Sequence, residues 1–119
     1  MQFGILLTLH FIADFMLQDD YTATNKSKSF YVLLSHTIRY STFVSLAFIA
    51  ISEVSKFGWT LNDMFLIYAW LFVTHTIIDM VTSRAAADVY PKSRHWFFVI
   101  IGFDQLLHNL TLLAITLIF

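Results

Sequence analysis

Four long apolar runs separated by three short polar stretches organise the chain. They predict helices over about residues 2–18, 30–51, 61–82 and 95–118. Runs of this length are not the roughly ten-residue strands of a membrane barrel, so helices are the only reasonable spanning element. The first run is short against the roughly 20 residues that a span needs. The polar stretches, at 19–29, 52–60 and 82–95, read as connections. Thr60 is placed to cap the third helix, and Pro91 suits a loop or the first turn of a helix. Trp59, Tyr90 and Trp96 fall where aromatic side chains meet a membrane surface.

Composition turns this pattern into a membrane reading. The chain has 119 residues, 58% of them hydrophobic and only 13% charged. A soluble domain carries roughly 25% charged residues, so there is too little polar side chain here to cover a soluble globule. The expected fold is an all-α, integral membrane four-helix bundle in a single domain, with membrane lipids as its surroundings. A net charge of -1 leaves no basic surface for nucleic acid. The absence of cysteine excludes disulfides and thiolate metal sites. The N-terminal run has no basic stretch before it and is interrupted by His10 and Asp14, so it does not read as a cleavable signal peptide.

The connections also carry an orientation. The first and third hold Lys26, Lys28, Arg84, Lys92 and Arg94, whereas the second and the termini offer Lys56 alone. The positive-inside rule then puts the first and third connections in the cytoplasm and both termini outside, in what is expected to be a bacterial inner membrane.

Against this apolar background the polar residues inside the runs stand out. The first helix carries His10 and Asp14, the third His75 and Asp79, and the fourth Asp104 and His108; the second carries His36 and Arg39. A spacing of four places each pair on one helical face. An aspartate deep in a membrane helix costs roughly 2.5–3.5 kcal/mol, so three left unpaired would cost on the order of 8–10 kcal/mol. They must face the bundle interior and find a partner there, for which Arg39 and a bound cation are candidates. Counted inward from the cytoplasmic boundary at about 1.5 Å per residue, Asp14 and Asp79 lie roughly 6–8 Å deep. His10, His36, His75 and Asp104 lie roughly 10–14 Å deep, and His108 roughly 19 Å. Helices that alternate in direction thus bring their polar residues to one half of the membrane, which points to one shared site.

Imidazole and carboxylate are the usual ligands of zinc and also suit Fe²⁺ and Mn²⁺. His10, Asp14, His36, His75, Asp79, Asp104 and His108 are therefore candidate ligands of a divalent metal ion, zinc first. They exceed one tetrahedral shell. Two metal positions fit the number, and so does one metal with carboxylates that hold histidine tautomers. His36 is also a candidate general base. Arg39, one turn on, is a candidate grip for an anionic group such as phosphate. Tyr40 faces the same side as His36 and can donate a hydrogen bond.

The stretch His10-x-x-x-Asp14-Phe15-x-x-Gln18, followed by Ala23-Thr24-Asn25-Lys26-Ser27-Lys28, His36, His75-x-x-x-Asp79 and Asp104-Gln105-x-x-His108, resembles a family of small membrane proteins known as domain of unknown function 3307. The resemblance covers nearly the whole chain and implies a bacterial or bacterial-virus membrane protein. The run from His75 to Thr82 is similar to one segment of the membrane-bound metal-dependent hydrolases, whose further histidine-rich run has no counterpart here. That likeness implies a metal site more than a reaction.

Three functions fit these residues. The first is a metal-dependent hydrolase of a lipid or phosphorylated substrate at the cytoplasmic leaflet. The second is a metal-ion or proton transporter, which with so few helices requires a homo-oligomer, Gly4 and Gly102 offering close helix contacts. The third is a structural or interaction protein whose polar cluster only locks the bundle.

Overall fold

A computed structural model describes residues 1–55 and 58–119, and the fold is all-α. Helix α1 spans Gln2–Phe11 and runs on through a π-helical turn, Ile12–Met16. A short helix α2, Asp20–Asn25, follows; the long helices are α3, Phe30–Ser55, α4, Leu61–Val89, and α5, Arg94–Ile118. Lys56, the basic residue expected in the second connection, lies outside the described residues, as does the side chain of Glu53.

Local chemistry sets the boundaries. The π-turn closes with the Leu17 amide donating to the Ile12 carbonyl at 2.9 Å. The chain then leaves the helical line, and Asp19, in an extended conformation, accepts the Thr22 amide on its carboxylate at 2.6 Å and starts α2. The first helix therefore stops at Met16, two residues short of expectation, and the first connection contains a helix of its own. Thr60 caps α4 as expected, in a reciprocal box: its hydroxyl accepts the Asp63 amide and the Asp63 carboxylate accepts the Thr60 amide.

Helix α4 runs on to Val89, well past residue 82. The stretch from Ser83 to Asp88 is polar, but Arg84, Ala85, Ala86 and Ala87 are strong helix formers, and Ala86 is buried. Polarity there marks the helix leaving the apolar zone, and Pro91 supplies the stop. A turn at residues 90–93 follows, after which the Ser93 hydroxyl accepts the Trp96 amide and opens α5.

Helix α4 packs between α3 and α5, α1 lies against α3 and α5, and α2 rests on α3. Leu6, Leu9, Val44, Phe48, Ile67, Leu71, Leu112 and Ile115 form an apolar core at the end of the bundle that holds the termini. The other end buries histidines and aspartates, while Phe11, Phe65, Val73, Phe98 and Phe103 point outward. Polar side chains inside and large apolar ones outside is the arrangement a lipid solvent favours. Among the described residues, three helices, Phe30–Ile51 within α3, α4 and α5, are long and apolar enough to cross a membrane by length and composition. Gln2–Met16 is apolar but shorter, about 22 Å against a hydrocarbon thickness of about 30 Å. Gly4 and Gly102 mark no close approach within the chain, since a Cβ at either would meet nothing within 4 Å.

Candidate metal centre

The polar end of the bundle brings side chains from three elements to one point. Asp14 comes from the π-turn of the first helix, His36 from α3, and His75 and Asp79 from successive turns of α4. All four are buried. His36 Nε2 lies 3.1 Å from Asp14 Oδ1, 3.2 Å from His75 Nε2 and 3.4 Å from Asp79 Oδ2. His75 Nε2 lies 3.6 Å from Asp14 Oδ1 and 3.5 Å from Asp79 Oδ2.

Hydrogen bonding cannot account for this packing. His36 Nε2 carries at most one proton, yet three atoms with lone pairs surround it. A tetrahedral ion with ligands at about 2.0–2.2 Å has ligand–ligand edges of about 3.3–3.6 Å. The five contacts match those edges to within a few tenths of an ångström. Two imidazole nitrogens and two carboxylate oxygens are also a donor set that suits zinc. These residues fit a four-coordinate divalent cation.

A second group adjoins the first through Asp79. Asp79, Asp104 and His108 again offer atoms close enough to hold an ion. His108 Nδ1 donates to the Asp104 carbonyl at 3.0 Å, which leaves the lone pair on Nε2. That Nε2 is buried without a hydrogen-bond partner among the described residues and lies 3.6 Å from Asp79 Oδ1. Asp79 thus turns one oxygen toward each group.

Charge gives a separate argument for a cation. Among the described residues, three buried carboxylates, Asp14, Asp79 and Asp104, share the interior with one ammonium, that of Lys26. Lys26 Nζ sits 2.8 Å from Asp79 Oδ2. Burial pulls this ammonium toward its neutral form, but the charges of Asp79 and then Asp14 outweigh it, so its pKa lies above the ordinary lysine value. Two negative charges remain, each costing several kcal/mol to bury uncompensated. One divalent ion would balance them.

The remaining expected residues surround this centre. His10 belongs to neither group. Its Nδ1 accepts from the Tyr40 hydroxyl at 2.9 Å and its Nε2 donates to Gln105 Oε1 at 3.1 Å, while its ring stacks on His108. Gln105 passes the chain on, donating to Asp104 Oδ2 at 2.9 Å, and Thr82 donates to the other Asp104 oxygen. The Tyr40 ring lies flat on His75, centroids 3.8 Å apart. Arg39 is turned away from the buried carboxylates: its guanidinium donates to Thr22 Oγ1 at 3.0 Å and lies 3.7 Å from Asp19, half exposed. It clasps α2 to α3, and Lys26 takes the counter-ion position that Arg39 was a candidate for.

Lys26 and Thr82 were not foreseen as parts of the site. Lys26 stands in a polar connection, and nothing in its spacing says that the connection folds back over the bundle. Thr82 did carry a signal, being three residues after Asp79 and so on the same helical face.

Two cavities approach the cluster. One, of about 240 Å³, is lined by Ala13, Leu17, His36, Arg39, Tyr40 and Phe43. The other, of about 580 Å³, opens between α2, α4 and α5 and reaches Lys26, Thr82 and Asp104. Neither the curated proteins nor the solved structures hold a match to the chain. One family does match, over residues 3–119, and the chain belongs to it: the family described as "Protein of unknown function (DUF3307)".

Proposed function

We propose that the chain is an integral membrane protein that binds a divalent metal ion, zinc before iron or manganese, and uses it to hydrolyse a lipid or phosphorylated substrate at the cytoplasmic leaflet. The observation that carries this reading is the four-atom cage of Asp14, His36, His75 and Asp79, built from three separate elements. Asp79 would be shared with a second position completed by Asp104 and His108. A metal bound at such a place lowers the pKa of a coordinated water and polarises a phosphoryl oxygen.

The protein's own part is to place and to balance. His36 in this reading is a ligand, since its Nε2 is one corner of the cage. His10 holds Tyr40 against His75 and Gln105 against Asp104, and so positions ligands without being one. Lys26 tempers the charge of Asp79. The smaller cavity gives water a way to His36, and Arg39 at its mouth supplies positive charge that draws an anionic group toward the cluster. The first and third connections face the cytoplasm, because five basic side chains gather there.

The apolar core favours this reading over transport. Leu6, Leu9, Val44, Phe48 and Ile67 fill the half of the bundle beyond the cluster, so an ion reaching the centre meets close-packed hydrocarbon before the other face. The test is release of phosphate or headgroup from a membrane lipid extract by the zinc-loaded protein. Turnover that disappears on chelation and with Asp14→Asn supports the reading. Metal-loaded protein that releases nothing, yet carries zinc or protons across liposomes, replaces it with transport.

A further inference from the structure

The larger cavity is built unlike a simple gap between helices. Its lining combines two chemistries. Lys26, Lys28 and Ser83 contribute polar side chains to it. Ser83 Oγ is buried with no hydrogen-bond partner among the described residues. Lys28 is exposed, and its ammonium makes no ion pair or hydrogen bond among the described residues. Ala87, Tyr90 and Phe97 contribute an apolar part. Asp104, one of the three residues of the second metal-ligand group, also lines it.

These features ask for an amphiphile. Two ammonium groups and an unsatisfied hydroxyl suit a phosphate, which carries about -1.5 to -2 charge as a monoester and accepts several hydrogen bonds. The Asp104 carboxylate in the lining would repel that phosphate if bare. A cation held by Asp79, Asp104 and His108 would cancel that charge and could offer the phosphate a ligand position. The apolar part suits a hydrocarbon chain and is of no use to a free phosphate. The volume, about 580 Å³, is in the range of small-ligand sites. The position fits as well. The groove lies beside the connections that gather the basic residues, where lipid headgroups sit in the proposed orientation.

We infer that this groove binds the phosphate head and the first part of the tail of a phosphomonoester lipid, and so presents the phosphate to the metal centre from the side of α4 and α5. The inference rests on the metal-dependent reading above and adds to it a substrate class and a binding site.

The test is native mass spectrometry of the full chain in detergent, titrated with dioleoyl phosphatidic acid, dioleoyl phosphatidylcholine and glycerol 3-phosphate. The metal content of each preparation is measured alongside. The expected result is one saturable phosphatidic acid, held at least about tenfold more tightly than phosphatidylcholine and not displaced by an equal concentration of glycerol 3-phosphate. Lys28→Glu should weaken it about tenfold, by removing one favourable charge and adding an unfavourable one. Ala87→Trp, at an exposed position, should weaken it by filling the apolar part of the groove. Metal-loaded protein that holds both lipids alike, or whose two variants bind as the wild type does, overturns the groove and leaves the metal reading standing. Displacement by glycerol 3-phosphate overturns the lipid in favour of a soluble phosphate. Protein that carries no metal fails the metal reading, and the inference fails with it.

Discussion

His36 on α3 and His75 on α4 hold their Nε2 atoms 3.2 Å apart, with both rings buried. Two neutral imidazoles can share one hydrogen bond at that distance, but here each nitrogen also faces carboxylate oxygens of Asp14 and Asp79. A cation between them satisfies all four atoms at once. Helices α1, α3 and α4 are then tied together through one point.

The first consequence is that metal should stabilise the fold. A ligand that binds only the native state adds about 4 kcal/mol when present at a thousand times its Kd. Chelator treatment of the purified protein should lower the thermal midpoint measured by circular dichroism, and added zinc should restore it. A midpoint unmoved by chelation, with metal shown to be removed, would contradict the tie.

Lys26 should matter more than its place in a connection suggests. Removing one partner of a buried ion pair costs about 3–5 kcal/mol, because the other charge is left behind. Lys26→Met should therefore destabilise the protein strongly, whereas Lys26→Met combined with Asp79→Asn should recover part of the loss. The four-way comparison of denaturation midpoints isolates the coupling; additive effects would show that the pair contributes nothing.

The same pair sets an alkaline limit. The Lys26 pKa is raised on folding above its ordinary value of 10.5. A raised pKa in a base means that its stabilisation is complete below 10.5 and is lost as pH climbs through the higher folded value. Stability followed from pH 9 upward should show this loss in the wild type, and Lys26→Met should lack that component. Identical profiles above pH 10.5 would remove the charge from the account.

Orientation gives an independent prediction. Cysteines introduced at Lys28 and Lys92, in a chain that has none of its own, should react with a membrane-impermeant thiol reagent only after the cytoplasmic side is opened. A cysteine appended after Phe119 should react from outside. The reverse pattern would invert the topology and put the proposed lipid site in the other leaflet.

Much of this was legible in the sequence because long apolar runs make polar residues conspicuous. His75 and Asp79 could be paired from four-residue spacing, and Asp14 and His36 joined to them by depth in the same half of the apolar runs, since a buried charge there has few alternatives to a shared site. His10 obeys the same rule of spacing and depth, yet its nitrogens are taken by Tyr40 and Gln105. Face and depth do not specify which way a ring edge turns. Lys26 was hidden for a different reason. Its role depends on Asp19 capping a short helix that folds the first connection back onto the bundle, and a polar connection carries no periodicity to reveal that. The extension of α4 to Val89 shows the limit of reading polarity as a boundary, because Arg84 to Ala87 keep the helix going after it leaves the apolar zone.

The central claim is that Asp14, His36, His75 and Asp79 hold a metal ion, and elemental analysis of the purified protein tests it most directly. After dialysis against metal-free buffer, the wild type should retain at least about one equivalent of a divalent transition metal, zinc foremost, and His75→Ala, shown by circular dichroism to be folded, should retain far less. A wild type that carries no transition metal above buffer background, even after refilling with zinc, iron or manganese, would contradict the account.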